Sequence, residues 1–398
     1  MMPVKKEGKK KQGLQKKKPT RARKTLTRAQ RGKKLLSIIR RARPITATRV
    51  PHPLSRHEGN PIIEPREGNY WEMKATFNPG AIYADHRVHL LYRAIGGDDT
   101  SVLGYASSGD GLSFADRPFE PAYTPSSTKA TVPKEEQVPL EPAYFSGGGW
   151  NGGCEDPRLT LIEGRVYLTY TAFDGWGSIR IALSSIGLED FLNKNWKWKK
   201  PALISPPGEI HKNWVIFPEK INGKFAILHS ISPKILVDYF DSLDGFDDEA
   251  MVVKSSYNRV SNTGAWDTWI RGAGPPPLKT KDGWLLFYHA MDMNDPDRYK
   301  LGVMLLDLND PTKVRYRSQV PILEPDLPYE NSGFKSGVVY SCGAVIMDGK
   351  LFVYYGGADA VTCVAMADLD AFLAELKEYG LPRLTSEKKS NTRNNGRR

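Results

Sequence analysis

The chain has 398 residues, with 57 Lys and Arg against 45 Asp and Glu, which gives a formal net charge of +12. The basic surplus is confined to residues 1–43, where 18 Lys and Arg face the single acid Glu7, so the rest carries a net charge of −5. No apolar run approaches the roughly 18 residues of a membrane span, and the start lacks the apolar segment of a secretory signal. Three scattered cysteines favour neither a metal site nor a disulfide framework, so a cytoplasmic location is expected.

Both ends of the chain are predicted to be disordered basic tails. Residues 1–50 are too rich in Lys and Arg to bury a core, and residues 381–398 are again polar and basic. A solvated tail is the first interpretation, and the alternative is weak contact with nucleic acid or an anionic surface through counterion release. The predicted boundaries are therefore 1–50, 51–380 and 381–398.

Between the tails a short phrase recurs five times: an apolar strand, a tight turn with Gly or Asp, and an aromatic-rich strand. The copies begin at Asn78, Glu155, Phe217, Gly274 and Cys342. Alternation of apolar and polar residues on both sides of each turn predicts a β-hairpin. A further strand-like phrase follows each turn after about 14–19 residues, which predicts four strands per unit and a period of about 60 residues.

Five such units are typical of a five-bladed β-propeller, so the predicted fold class is all-β. In that fold the first strands of the blades end at an axial funnel, where we expect the functional site. The segment 121–142, rich in Pro, Ser, Thr and Glu, is predicted to be a long surface loop. A short helix with apolar residues at helical spacing is predicted near the end, from Leu369 to a stop at Gly380.

An Asp-Pro step is the first candidate for chemistry. Asp156 follows a glycine-rich stretch at the entry of a predicted first strand, where the backbone can approach a ligand closely. A carboxyl group at the funnel end of that strand can act as a general acid on a glycosidic oxygen. The alternative is an ordinary Asp-Pro turn without a chemical role.

Five phrases in order resemble glycoside hydrolase family 130, the inverting β-mannoside phosphorylases. They read FNPGAIY, EDPRLT, FPEKINGKFAILH, GAGPPPLKTKDGWLLFYH and CGAVIMDGKLFVYYGGAD. The resemblance runs from about residue 60 to about residue 378. It implies a five-bladed propeller that cleaves β-mannoside oligosaccharides with phosphate and releases α-mannose 1-phosphate. Inorganic phosphate is then a co-substrate, and neither a metal nor another cofactor is expected.

The resemblance also implies roles in holding the sugar. Asp156 corresponds to the general acid, which in this family acts through the 3-hydroxyl of the mannosyl unit. The amide, guanidinium and carboxylate types suit the recognition of sugar hydroxyls. The residues implied or suggested for substrate binding are Asn78, Arg93, Asp359, Tyr288 and His289. Two alternatives stay open: an ion pair of Arg93 with Asp98 or Asp99, and a plain turn role for Asp359.

Phosphate binding calls for cations, and the resemblance points to residues of the second, third and fourth units. The candidates are Arg180, Lys212, His229 and Arg271. One departure concerns Ser230, because many relatives have Arg immediately after the histidine.

The family also contains β-mannosidases that use water, so hydrolysis is the second interpretation. A hydrolase needs a second carboxylate, for which the candidates are Glu209, Glu219 and Asp292. A sugar-binding propeller without turnover is a third interpretation. The sequence leaves the linkage of the mannoside open, and a homo-oligomer is compatible with it.

Overall fold

The structure, a computed structural model, describes residues 54–125, 151–174, 179–247, 251–255 and 266–381. The predicted N-terminal tail, most of segment 121–142 and the chain after Leu381 lie outside these ranges. The described residues are mostly β-sheet with few helices, in agreement with the predicted all-β class. Within these ranges the helices are α1 (Leu188–Leu192), α2 (Pro328–Asn331) and α3 (Leu369–Tyr379), with 3-10 turns at Tyr70–Glu72 and Asp244–Asp247.

The strands fall into five antiparallel groups, which we call units I to V. Unit I has β2 (Ala75–Ala84), β3 (Arg87–Ile95) and β4 (Ser101–Ser108). Unit II has β5 (Gly153–Ile162), β6 (Arg165–Phe173), β7 (Ile179–Gly187) and β8 (Ala202–Leu203). Unit III has β9 (Val215–Ile216), β10 (Phe225–Ser230) and β11 (Leu236–Phe240).

The fourth and fifth units follow the same order of strands. Unit IV has β12 (Trp269–Ala273), β13 (Leu278–Thr280), β14 (Gly283–Asp292), β15 (Asp295–Leu306) and β16 (Val314–Arg317). Unit V has β17 (Val339–Met347), β18 (Lys350–Gly357) and β19 (Val361–Asp368), and the early strand β1 (Ser55–Arg56) pairs with β19 at its edge. The five predicted hairpins are all present.

The prediction of four strands per unit is only partly met. Units I and III contribute three paired strands each among the described residues. A single parallel pair, Ser101 with Gly153, also joins units I and II into one seven-stranded sheet.

Five hydrophobic clusters lie between successive units and form the core. Each cluster combines buried side chains of two units that are neighbours in the chain, except that the last one combines units V and I. Representative members, in chain order of the units, are Leu91 with Leu168, Ile181 with Ile227, Leu228 with Leu286, Phe287 with Tyr355, and Tyr354 with Leu90. Unit V thus packs against unit I, and burial of these apolar faces is the main stabilising contribution.

The predicted C-terminal helix is present as α3. The Asp368 carboxylate caps it by accepting a hydrogen bond of 2.9 Å from the Ala371 N–H, and the helix ends before Gly380. Its apolar stripe of Phe372, Leu373 and Leu376 is buried against units IV and V. Across the described ranges, none of the helices combines the length and apolar character that crossing a bilayer requires.

Candidate active site

β-Bulges in the first strands of units I and II bring two side chains together. The pairing register shifts between Phe77 and Gly80 in β2, and between Glu155 and Arg158 in β5. Asn78 and Asp156 lie in these bulges with φ values of 49° and 53°, which Asn and Asp tolerate better than most residues. Since a bulge re-aims its side chain, the two meet: the Asn78 amide donates a 2.8 Å hydrogen bond to Asp156 Oδ1.

Arg93 of β3, in unit I, contacts both acidic residues of the bulge in β5. Its Nη2 donates to Glu155 Oε1 at 2.8 Å, and its Nη1 lies 3.4 Å from Asp156 Oδ1. Its Nε donates to Ser101 Oγ at 3.0 Å. All of these side chains are buried. Arg93 is therefore part of the predicted site and not the strand-end ion pair with Asp98 or Asp99 that we considered as an alternative.

Further cations surround the same carboxylates. The Lys212 ammonium lies 3.3 Å from Glu155 Oε2, and Arg158 donates through Nη1 to the backbone carbonyl of Asp156 at 2.7 Å. Burial alone would raise the pKa of Asp156, but the positive charges of Arg93, Lys212 and Arg158 outweigh burial and hold that pKa below its ordinary value. Asp156 is therefore an ionised carboxylate with three positive charges around it.

Asp359 follows β18 in unit V and has the opposite protonation behaviour. It is buried and adopts φ 53°. Burial raises its pKa to about 7, although the charges of Lys335 and Arg93 act against that rise. The negative charges of Asp156 and Glu155 contribute to the rise as well. Near neutral pH the two predicted carboxyl groups therefore differ: Asp156 is ionised, whereas Asp359 is in equilibrium between its protonated and ionised forms.

The raised pKa makes the stability contribution of Asp359 depend on pH. An unfolded aspartate titrates near 3.8, so Asp359 favours the folded state at low pH, and this contribution is lost as pH rises through about 7. Asp359→Asn stays neutral, and its advantage in unfolding free energy over the wild type should grow by roughly 3 kcal/mol between pH 5 and pH 8. Urea unfolding at both pH values measures this. Asp348→Asn, at an exposed turn position with φ 51°, is the control, and an equal advantage at both pH values would contradict the assignment.

Tyr288 and His289 are neighbours on β14 and point to opposite faces of the strand, so they cannot both line one site. Tyr288 is fully buried in the cluster between units III and IV, and its hydroxyl donates to Asp267 at 2.8 Å. The substrate-binding prediction for Tyr288 is therefore wrong, because the alternation of the strand assigns that side chain to the core.

His289 lies on the side of the predicted site. It stacks on Tyr340 with ring centroids 3.8 Å apart, and its Nε2 accepts a hydrogen bond of 3.0 Å from the Ser341 N–H. Burial and the nearby charge of Arg158 lower its pKa to about 3, so the ring is neutral. Its Nδ1 is buried without a hydrogen-bond partner in the described part of the chain.

The four predicted phosphate-binding cations differ in their surroundings. The Lys212 ammonium lies 3.3 Å from Oε2 of Glu155, the neighbour of Asp156. Arg180 donates through Nε to the Ser205 carbonyl at 2.8 Å and through Nη2 to the Leu203 carbonyl at 3.1 Å. Arg271 occupies a bulge of β12 and stacks over the Trp269 ring at 4.4 Å. His229 occupies a bulge of β10.

Several residues of the site were missed by the sequence reasoning. Glu155 bridges Arg93 and Lys212, and Asn213 accepts hydrogen bonds at its Oδ1 from Arg158 at 2.8 Å and from the Tyr340 hydroxyl at 2.6 Å. Asn213 also has a positive φ, 67°, just before the first strand of its unit, whereas Asn78 and Asp156 have theirs at bulges within their first strands. Alignment of the repeats on that strand, instead of on Phe217, would have found Asn213.

The predicted second carboxylates have other partners. Glu209 pairs with the His211 ring at 2.8 Å, and Glu219 pairs with Lys279. Asp292 accepts from the Asn294 N–H in the turn after β14. Two other carboxyl groups interact with Asp156 or with its partner: Glu155 also pairs with Arg93, and the negative charge of Asp156 helps to raise the pKa of Asp359. In the described ranges, no three His, Cys, Asp or Glu side chains are grouped as a metal site would require.

A comparison with known families places the chain in one of them. Residues 53–378 match the model of glycoside hydrolase family 130, described as beta-1,4-mannooligosaccharide phosphorylase, and the chain belongs to this family. A 1,2-beta-oligomannan phosphorylase of Thermoanaerobacter sp. is 38% identical over 328 residues, which are 79% of this chain and 97% of the relative. A beta-1,2-mannobiose phosphorylase of the same organism is 36% identical over 79% of this chain and 97% of its own length.

A solved structure shares the fold. The beta-1,2-mannobiose phosphorylase of Listeria innocua, in complex with beta-1,2-mannobiose, has a TM-score of 0.60 and 25% identity to this chain. The match covers 82% of this chain and 99% of the other. The family resemblance predicted from the five phrases is thereby confirmed.

Proposed function

We propose that the protein is a glycoside phosphorylase that cleaves β-mannosides with inorganic phosphate and inverts the anomeric centre to give α-mannose 1-phosphate. The observation that carries the proposal is a buried set of contacts: Asn78 and Arg93 both contact Asp156, and Lys212 contacts the adjacent Glu155. Family membership supports the same activity. Because the two curated relatives above act on β-1,2-linked mannosides, β-1,2-mannobiose and longer β-1,2-oligomannosides are the first substrates to test.

In this proposal Asp156 supplies the proton for the leaving oxygen through the 3-hydroxyl of the mannosyl unit, while Asn78, Arg93 and Asp359 hold the sugar. Three cations keep Asp156 ionised when no ligand is bound. A phosphate dianion beside Lys212 neutralises part of that positive charge, which raises the pKa of Asp156 and favours its acid form in the ternary complex. Proton donation is therefore coupled to phosphate binding.

Phosphorolysis is favoured over hydrolysis by the state of the second carboxylate. A hydrolase needs a base that activates water. Glu155 is the carboxylate next to Asp156, and both of its oxygens face cations: Oε1 the Arg93 guanidinium and Oε2 the Lys212 ammonium. Both oxygens are thus engaged by cations, which places Glu155 poorly for activating water, whereas phosphate needs only positioning and charge neutralisation. Hydrolysis remains the second candidate because Ser230 stands where many relatives have Arg.

We also propose that units I to V are the blades of a five-bladed propeller within residues 51–380, with basic tails at 1–50 and 381–398. The five inter-unit clusters, the last of which joins unit V to unit I, support a closed ring. In that arrangement the first strands of the units approach the axis, which agrees with the Asn78–Asp156 hydrogen bond between units I and II and the Arg158–Asn213 hydrogen bond between units II and III.

The role of Lys212 gives a direct test of phosphate use. A charge-assisted hydrogen bond to phosphate contributes roughly 1.5–3 kcal/mol, so Lys212→Ala should raise the KM for phosphate at least tenfold. The KM for the mannoside should change much less, because in this proposal Lys212 faces phosphate and not the sugar. Initial rates over a phosphate series measure both constants. Lys350→Ala, at the exposed start of β18, is the control, and an unchanged phosphate KM in Lys212→Ala would remove Lys212 from the phosphate site.

A further inference from the structure

Arg158 connects the first strand of unit II to units III and IV through neutral oxygen atoms. Its Nη1 donates to the Asp156 carbonyl at 2.7 Å, and its Nε donates to the Gly274 carbonyl at 2.9 Å. Its Nη2 donates to Asn213 Oδ1 at 2.8 Å and to the Ala273 carbonyl at 3.2 Å. The side chain is buried, so one guanidinium fixes the relative positions of backbone and side-chain atoms from three units.

Asn213 presents an uncharged acceptor to this guanidinium. Its Nδ2 donates to the Arg271 carbonyl at 2.9 Å, which leaves Oδ1 to face donors. Oδ1 accepts from Arg158 and, at 2.6 Å, from the Tyr340 hydroxyl of unit V. Gly272, with φ 124°, leaves space for the amide, because a Cβ there would lie 2.8 Å from Asn213 Cβ. The amide is therefore held in one orientation, with its oxygen on Arg158.

The charge of Arg158 is not paired with a carboxylate. In the part of the chain that the structure describes, Arg158 forms no ion pair, whereas Arg93 and Lys212 both pair with Glu155. A buried charge acts strongly on its neighbours because the protein interior screens it poorly. Burial raises the pKa of Asp156, and the charges of Arg93, Lys212 and Arg158 lower it, in that order of size.

Titratable side chains of units IV and V also interact with the charge of Asp156. They are His289, Tyr340, Cys342 and Asp359. Burial lowers the histidine pKa and raises the tyrosine and cysteine pKa values, so these three groups are uncharged at neutral pH. Asp359, with a pKa of about 7, changes its charge near neutrality, and its titration is read separately in the experiment below.

We propose that Arg158 is a positioning residue for Asp156: it fixes the Asp156 carbonyl in the bulge of β5 and, because Asn213 accepts from it as a neutral amide, leaves its positive charge to the Asp156 carboxylate. The direction of a side chain in a bulge follows the local backbone, so fixing the carbonyl fixes the carboxylate. Units III and IV thereby set the geometry of a carboxylate that belongs to unit II. The inference rests on the proposed function for the chemical role of Asp156, and the contacts of Arg158 do not depend on that role.

The first test reads the Asp156 titration itself and needs no turnover. The full chain, labelled with ¹³C-aspartate, is titrated by carboxyl NMR, and the Asp156 signal is identified by its loss in Asp156→Asn. Arg158→Gln removes the charge, so the acid dissociation constant of Asp156 should fall at least about tenfold. Arg158→Lys keeps the charge and should leave that constant within about threefold of the wild type. An unmoved Asp156 titration in Arg158→Gln would overturn the proposal.

Asn213→Asp tests the neutral acceptor, and it carries the test if the Arg158 variants do not fold. Asp is close to Asn in size and tolerates the φ of 67°. The new carboxylate compensates the guanidinium and adds negative charge, so the Asp156 dissociation constant should again fall at least about tenfold. Asn222→Asp, at an exposed turn position with φ 53°, is the control and should leave that constant unchanged. A carboxyl group at position 213 that stays protonated, or an unmoved Asp156 titration, would overturn the proposal.

The second test separates positioning from stability. Arg158→Lys loses the fork that joins three units, so kcat should fall roughly tenfold to a hundredfold through misplacement of Asp156, with a smaller change in the KM for the mannoside. A wild-type kcat, or a loss that equals the unfolded fraction measured on the same preparation, would overturn the positioning role. Asp156 titrations that move as expected, together with no phosphate-dependent cleavage by the wild type, would instead refute the proposed function and leave the inference on Arg158 standing.

Discussion

Asp156→Asn should lower turnover roughly 10²- to 10⁴-fold, the usual contribution of a general acid. The amide cannot supply the proton, but its oxygen can still accept from the Asn78 amide and the Arg93 guanidinium. Asn also tolerates the φ of 53° at this bulge. The variant should therefore fold and bind the mannoside while it fails to cleave it.

Turnover and unfolding must be measured on the same Asp156→Asn preparation. Stability should fall by no more than about 1–2 kcal/mol, because Glu155 still pairs with Arg93 and Lys212. Asp348→Asn provides the control for an Asp-to-Asn change at positive φ away from the site. Near-normal turnover, or a loss of activity explained entirely by unfolding, would assign Asp156 to the structural Asp-Pro turn.

Arg93→Leu should destabilise the protein by roughly 3–5 kcal/mol, the cost of leaving buried charge without its partner. Arg93 contacts Glu155 and Asp156, both buried, and bonds to Ser101 as well. Its charge holds the pKa of Asp156 down, so the stability that this pair provides is present at neutral pH and is lost as pH falls. In the wild type that loss lies below pH 3.8, but without the Arg93 charge burial raises the pKa of Asp156, which can then take up a proton at pH 4, so the destabilisation should be smaller at pH 4 than at pH 7.

Urea unfolding at the two pH values measures the effect of Arg93→Leu. Arg315→Leu, which removes an exposed guanidinium 3.8 Å from Asp307, should change stability by less than about 0.5 kcal/mol. If Arg93→Leu were as mild as this control, the buried charge cluster would contribute little to folding. A loss that did not depend on pH would indicate a packing effect instead of lost charge pairing.

The repeating part of the fold is predictable from sequence because local alternation specifies hairpins. The turn residues and the apolar phrases beginning at Asn78, Glu155 and Cys342 correspond to paired strands in the structure. The number of strands per unit was less predictable. Outer strands such as Ala202–Leu203 are only two residues long and carry too little alternation to be recognised.

The site was partly predictable for a related reason. Asn78 and Asp156 each precede a proline, a visible signal, whereas Glu155 and Asp156 are sequence neighbours that regular alternation would send to opposite faces. A bulge in β5 lets Arg93 contact both carboxylates, and the pattern of apolar and polar residues does not predict that bulge. The substrate-binding prediction for Tyr288 was wrong for the opposite reason: β14 keeps its regular alternation there, which directs the side chain into the core.

The protonation states add what residue types alone cannot supply. Asp156 and Asp359 are both aspartates with a φ of 53°, yet their pKa values are displaced in opposite directions. The difference comes from the cations: Arg93, Lys212 and Arg158 act together on Asp156, while burial dominates at Asp359. One carboxyl group is thus ionised at neutral pH, whereas the other is close to the midpoint of its titration.

The most direct test of phosphorolysis is the identity of the product. The purified full chain is incubated with β-1,2-mannobiose, with and without inorganic phosphate, and the reaction is followed by ³¹P NMR and by an assay for free mannose. We expect α-mannose 1-phosphate to form together with one mannose per bond cleaved, and no cleavage when phosphate is left out. Release of mannose at the same rate with and without phosphate, and without a sugar phosphate, would contradict phosphorolysis and identify a hydrolase.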